Sequence, residues 1–135
     1  MRYLLDTDTL SGLMRNAPLP TLLRHVAAVP PEEQATSSIT LGELLYGAHR
    51  LSQGASLLQR IEETVTANLP VLAFDEPAAR EYGQLRAHLE QQGLPIGDAD
   101  MRIASIALAR DLVVVTGNRR HFDRVPSLVV ENWLV

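Results

Sequence analysis

Five residues here could hold a hard cation or handle a proton: Asp6, Glu43, Asp98, Asp100 and, as a neutral amide, Asn118. The sequence places each of them just past an expected strand or at a helix start beside one. In open α/β sheets that end of the strands is where ligands bind. Carboxylates gathered there repel one another, by about 4 kcal/mol for a pair at ~4 Å and an effective dielectric of ~20. A fold keeps such a group if it is solvated, protonated or neutralised by a cation. With no Cys in the chain, oxygen ligands select Mg²⁺ or Mn²⁺ over thiophilic metals. Those cations serve phosphoryl chemistry.

Each residue also has a plain structural reading. Asp6 and Asp98 are good N-caps. Thr40 and Glu43 have the spacing of a capping box. Asp100 complements a helix dipole. Residue types and spacing alone do not choose between the two readings.

The elements that must position these residues alternate. Arg2–Leu5 reads as a buried strand, ended by the polar cluster Asp6-Thr7-Asp8-Thr9. Leu10, Leu13 and Met14 follow helical spacing; Leu22, Leu23, Val26 and Ala27 resume it before Pro30-Pro31. Ala35–Ser37 is a short strand. Leu41, Leu44, Leu45 and Ala48 form an apolar helix stripe. A further helix is expected over Ala55–Asn68, then a strand over Val71–Phe74. Asp75-Glu76-Pro77 starts a helix running to about Gln92. Met101–Arg110 follows, opened by Gly97-Asp98-Ala99-Asp100. Leu112–Val115 is an unbroken apolar run suited to a sheet buried on both faces. Thr116-Gly117-Asn118 reads as a turn and Leu128–Val130 as a last strand. This alternation predicts an α/β fold, a short central parallel sheet flanked by helices in three layers. Residues 1–135 read as a single domain without linker or repeat.

Composition narrows the chemistry. The chain has 135 residues, 12 basic and 16 acidic, for a net charge of −4. That is not the footprint of a tight, non-specific nucleic-acid binder. All basic residues are Arg, which removes Walker A, Schiff-base and Ser–Lys chemistry but leaves phosphate recognition open. Aromatics at 4% do not provide an extended base-stacking platform. His25, His49, His88 and His121 lack metal-type spacing, and no Gly-x-Ser-x-Gly elbow is present. No apolar run reaches membrane-span length, and Asp6 cuts short the first one, so the chain reads as cytoplasmic with no membrane partner.

Four segments together resemble PIN-domain ribonucleases, in particular the VapC toxins of bacterial toxin–antitoxin pairs. They are Tyr3-Leu-Leu-Asp6-Thr-Asp8, Ser37-Ser-Ile-Thr-Leu-Gly-Glu43-Leu-Leu-Tyr-Gly-Ala48, Pro95-Ile-Gly-Asp98-Ala-Asp100-Met-Arg-Ile-Ala104 and Val114-Val-Thr-Gly-Asn118-Arg-Arg-His-Phe122. Arg124-Val-Pro and Val130-Glu-Asn-Trp133 extend the likeness to the whole chain.

The resemblance implies a PIN-like fold and metal-dependent endonucleolytic cleavage of RNA. It maps catalytic acids onto Asp6, Glu43 and Asp100, which also hold Mg²⁺ (or Mn²⁺), with Asp98 as a secondary metal-side acid. The family's fourth acidic position falls on Asn118, which adds no charge, while Asp8 stands where Asn is usual. Thr116, Asn118, Arg119 and Arg120 are expected to position RNA or water; Arg15 and Arg102 also lie near the motifs. The glutamate often present before Arg-Val-Pro is replaced around His121, and no catalytic role is assigned there. In-line attack by metal-activated water would leave 5′-phosphate and 3′-hydroxyl ends. A homodimer, a cognate VapB-type antitoxin and a toxin–antitoxin hetero-oligomer are implied as well.

Two rival readings remain at this level. Asp6-Thr-Asp8-Thr9 also looks like the nucleophile motif of a haloacid-dehalogenase-like phosphatase. A catalytically silent PIN fold acting as a binding partner is the other.

Overall fold

A computed structural model describes all residues, 1–135. Five short parallel strands make one sheet in the order β3-β2-β1-β4-β5: β1 is Tyr3–Leu5, β2 Gln34–Ser37, β3 Val71–Leu72, β4 Val113–Val115 and β5 Val130–Glu131. Helices cover both faces: α1 (Thr7–Leu13), α2 (Pro20–Ala28), α3 (Ser38–His49), α4 (Ala55–Ile61), α5 (Glu76–Gln91), α6 (Asp98–Arg110) and the single turn α7 (Arg119–Phe122).

Strand side chains alternate between faces, and the two cores follow that alternation. Leu4, Ala35 and Val114 pack with Leu85, Leu89, Ile103, Ile106 and Phe122 of α5, α6 and α7. Tyr3, Leu5 and Val115 pack on the other side with Leu10, Leu22, Leu44, Ile61 and Trp133. Burial on both faces explains why β1 and β4 are apolar throughout rather than alternating. The three-layer parallel α/β architecture is as expected from the sequence.

Several boundaries differ, each for a local reason. Ser37, not Thr40, caps α3: its hydroxyl accepts the Thr40 N–H at 3.0 Å. The expected Thr40–Glu43 capping box is therefore absent, and Glu43 faces outward. Asp75 caps α5 as expected, accepting the Ala78 N–H at 3.2 Å. The Ala55–Asn68 helix is interrupted: α4 passes into a π-helical turn over Glu62–Thr66. The third strand ends at Leu72 and the last begins at Val130. The Leu41/Leu44/Leu45/Ala48 stripe lies against the core, with Leu44 and Ala48 buried. No helix is long and apolar enough to cross a membrane.

Candidate active site

The chain runs from β1 outward through β2 to β3, then returns to β4 on the other side of β1. The crossovers on either side of β1 and β4 thus leave in opposite directions, and a crevice opens at the carboxyl ends of these two strands. Asp6 follows β1, and Thr116-Gly117-Asn118 follows β4. The two ends are joined: the Asp6 N–H donates to the Val115 carbonyl at 2.9 Å, and the Thr9 hydroxyl to the same carbonyl at 3.0 Å.

Asp6 occupies the N-cap position of α1 but makes no capping bond with its side chain. Its Oδ2 instead accepts the buried Thr116 hydroxyl at 2.8 Å. The plain cap reading of Asp6 therefore fails. Only 5% of the residue is exposed, and no cation pairs with it. Burial above all, helped by the charges of Asp8 and Asp100, pushes its pKa up to about 6 against the opposing bonds from the Thr7 N–H and Thr116.

Asp8, in the first turn of α1, clamps the β4 loop. Its Oδ2 accepts the Gly117 N–H at 2.9 Å, and its Oδ1 lies 3.4 Å from the Thr116 hydroxyl. Gly117 is required by this approach: a Cβ there would stand 2.7 Å from Asp8 Oδ2 and 2.8 Å from Leu134. The Thr116 oxygen accepts the Asn118 N–H at 3.0 Å, fixing the next residue too.

Asp100 enters from the first turn of α6. Its Oδ2 accepts the Asn118 amide at 3.2 Å and lies 2.7 Å from His121 Nδ1. A carboxylate oxygen at that distance requires the proton on Nδ1. Glu43 projects from the exposed side of α3, and its Oε1 accepts the Thr7 hydroxyl at 2.9 Å. Asp6, Asp8, Glu43, Asp100 and Asn118 line one cleft of about 400 Å³ with Thr7, Ser11 and Arg15, without a hydrophobic residue.

Asp98 does not join them. On α6 it lies outside the cleft lining, bonded to the Tyr82 hydroxyl and, at 2.8 Å, to Arg102 Nε. The Tyr82 bond, then Arg102, hold its carboxyl below the usual range. The structure thus places Asp98, expected as a secondary metal-side acid, apart from the other carboxylates, and Arg102 is tied down with it. Arg119 pairs with Asp123 and donates to the Val130 carbonyl at 3.2 Å. Arg120 is exposed, and neither it nor Arg119 lines the cleft. The residue missed by sequence reasoning is His121. Its signal was the i,i+3 spacing from Asn118, which becomes one face of a turn only because α7 forms.

As placed, no three acidic or histidine side chains stand close enough to chelate one ion. Each carboxylate has turned to a neutral or donating neighbour, as mutually repelling charges do. The donor set nonetheless fits a hard divalent cation: four carboxylates and an amide oxygen in one polar cleft, with Asp6 buried and uncompensated.

A family model described as PIN domain matches residues 3–128. The chain belongs to the PIN domain family. It is 38% identical over 133 residues to the tRNA(fMet)-specific endonuclease VapC of Salmonella typhimurium, covering 98% of each chain. It is 33% identical over 134 residues to Ribonuclease VapC2 of Haemophilus influenzae, covering 99% of each. Among solved structures, DNA-bound VapBC from Salmonella typhimurium matches with a TM-score of 0.90 at 38% identity, over 98% of both chains. FitAcB from Neisseria gonorrhoeae matches with a TM-score of 0.88 at 29% identity, over 97% of both. This PIN domain thus has the whole-chain likeness to VapC that its four segments implied. The phosphatase reading is set aside: the family match spans nearly the entire chain, and Asp8 is committed to the Gly117 amide.

Proposed function

We propose that this PIN domain, acting as a single domain over residues 1–135, is a divalent-metal-dependent endoribonuclease. In this reading it is the toxin of a bacterial toxin–antitoxin pair, working with Mg²⁺ or Mn²⁺ in the cytoplasm. The observation that carries the reading is the buried, cation-free Asp6 sharing one polar cleft with Glu43, Asp100 and Asn118. Its VapC relatives carry endonuclease and ribonuclease names, so tRNA is the first substrate class to try. Complexes such as VapBC support a cognate antitoxin; the homodimer belongs to the same reading.

Asp6 and Asp100 would hold the cation, with Glu43 beside them. A bound divalent ion supplies charge neutralisation and lowers the pKa of water at the site. Glu43, exposed and anchored only by Thr7, is placed to orient that water and take its proton. Asn118, fixed through Thr116 and Asp100, orients a phosphate oxygen or a water by its amide. Attack by water leaves a 5′-phosphate and a 3′-hydroxyl; attack by the ribose 2′-hydroxyl would leave a cyclic phosphate instead.

The test is end-mapping of total bacterial RNA incubated with antitoxin-free protein, in Mg²⁺, Mn²⁺ or EDTA, beside Asp100→Asn. Discrete cuts bearing 5′-phosphates, lost in EDTA and in Asp100→Asn, support the reading. No cuts in RNA that includes tRNA, or cuts surviving EDTA or the substitution, overturn it and leave the silent binding partner.

A further inference from the structure

We infer that single-stranded substrate RNA leaves the acidic cleft along a groove between α1, α3 and α4, where Arg15 and Arg50 bind its phosphates. This rests on the endoribonuclease reading and adds the strand's path and its positioning residues.

A second cavity of about 370 Å³ adjoins the acidic one. The two share Thr7, Ser11, Arg15 and Glu43. Arg15 therefore lines both, on the line leading out of the reaction centre. Arg50, which caps the end of α3, lines the outer groove.

Five arginines have neither a carboxylate nor a backbone carbonyl as partner, Arg2, Arg15, Arg24, Arg50 and Arg120, and of these only Arg15 and Arg50 line this groove. Arg80, Arg86, Arg102, Arg110 and Arg119 are in ion pairs. Arg60 and Arg124 donate to the Met14 and Pro95 carbonyls. Arg15 and Arg50 are exposed, have no carboxylate partner, and Arg50 rests only near the Tyr46 ring at 6.0 Å. In a chain of net charge −4, phosphate binding needs local cations placed free of acids. Guanidinium groups suit phosphodiesters because they can donate two parallel bonds. Carboxylates at one end and unpaired arginines at the other would bring the scissile phosphate to the cation and seat the flanking phosphates on Arg15 and Arg50.

The experiment uses the full chain as Asp100→Asn in EDTA, so that RNA is bound without being cut and no variant carries metal. Binding of a short fluorescein-labelled single-stranded RNA is followed by anisotropy across a salt series. Arg15→Ala and Arg50→Ala should each flatten the slope of log K against log salt by about 0.7, and the double variant by about 1.4. Arg15→Lys with Arg50→Lys should keep the slope, and Arg80→Ala, which breaks only the exposed pair with Glu76, should leave it unchanged. Both arginines are exposed, so melting temperatures should not move. A double-alanine slope equal to the parent's overturns the path while leaving the nuclease reading intact. An unchanged slope with lost capture of a co-expressed antitoxin also overturns it, giving the groove to a protein partner. A parent that binds no RNA overturns the path, while the end-mapping above decides the nuclease reading separately.

Discussion

His121 Nδ1 stands 2.7 Å from Asp100 Oδ2, nearer than the 3.2 Å of the Asn118 amide on the same oxygen. One carboxylate oxygen thus takes two donors from the loop after β4, and the other is left for the cleft. His121→Ala should release the Asp100 rotamer and weaken Mn²⁺ binding by roughly tenfold or more, as the loss of a hydrogen bond behind a metal ligand generally does. Mn²⁺ titration calorimetry measures this, and His121→Asn, which keeps an N–H donor, should recover part of the affinity. An alanine variant with parental affinity would remove His121 from the site.

Asp6 makes stability depend on pH in a defined direction. Its folded pKa of about 6 lies above the ordinary 3.8, so the folded state holds this proton more tightly than the unfolded one. The contribution is fully present below the ordinary value and lost as pH rises through about 6, a change on the order of 3 kcal/mol. Asp6→Asn should therefore melt higher than the parent in EDTA at neutral pH, and the gap should close towards pH 4. Divalent cation should raise the parent's melting temperature above pH 6 and leave Asp6→Asn unmoved. Equal melting curves across the pH range would contradict this.

Asp98 and Asp100 should separate cleanly. Asp98→Asn breaks exposed bonds to Tyr82 and Arg102, for which a stability loss below about 1 kcal/mol is expected. Mn²⁺ affinity should stay within about twofold, since only direct or hydrogen-bonded ligands carry large effects. Asp100→Asn should abolish most of that affinity. A large loss of Mn²⁺ binding in Asp98→Asn would restore it to the metal site.

Gly117→Ala should damage the site from outside its ligands. The added methyl meets Asp8 Oδ2 at 2.7 Å and Leu134 at 2.8 Å, and such overpacking costs about 1–3 kcal/mol. Asn118 should shift with the loop, so RNA cleavage should fall more than the melting temperature implies. Shortening the obstruction with Asp8→Ser in the same chain should restore part of both. Wild-type cleavage in Gly117→Ala would show that the clamp does not set the position of Asn118.

Local chemistry settles much of this molecule. The buried runs Tyr3–Leu5 and Val113–Val115, the Asp75 cap and the Pro30-Pro31 stop lie within a few residues of what they control, so strands, helices and their alternation are legible in the sequence. With alternation comes a parallel sheet, and with the sheet the end at which Asp6, Asp100 and Asn118 gather. Which acids meet is not local. Asp98 and Asp100 are two residues apart on one helix, and the ~100° per residue of an α-helix sends them to different neighbours. Only the packing of α5 on α6 gives Asp98 to Tyr82, and only the order β2-β1-β4 brings Thr116 to Asp6 across 110 positions of chain. His121 becomes a partner of Asp100 for the same reason: its distance in sequence says nothing until the sheet order and α7 put the two side chains face to face.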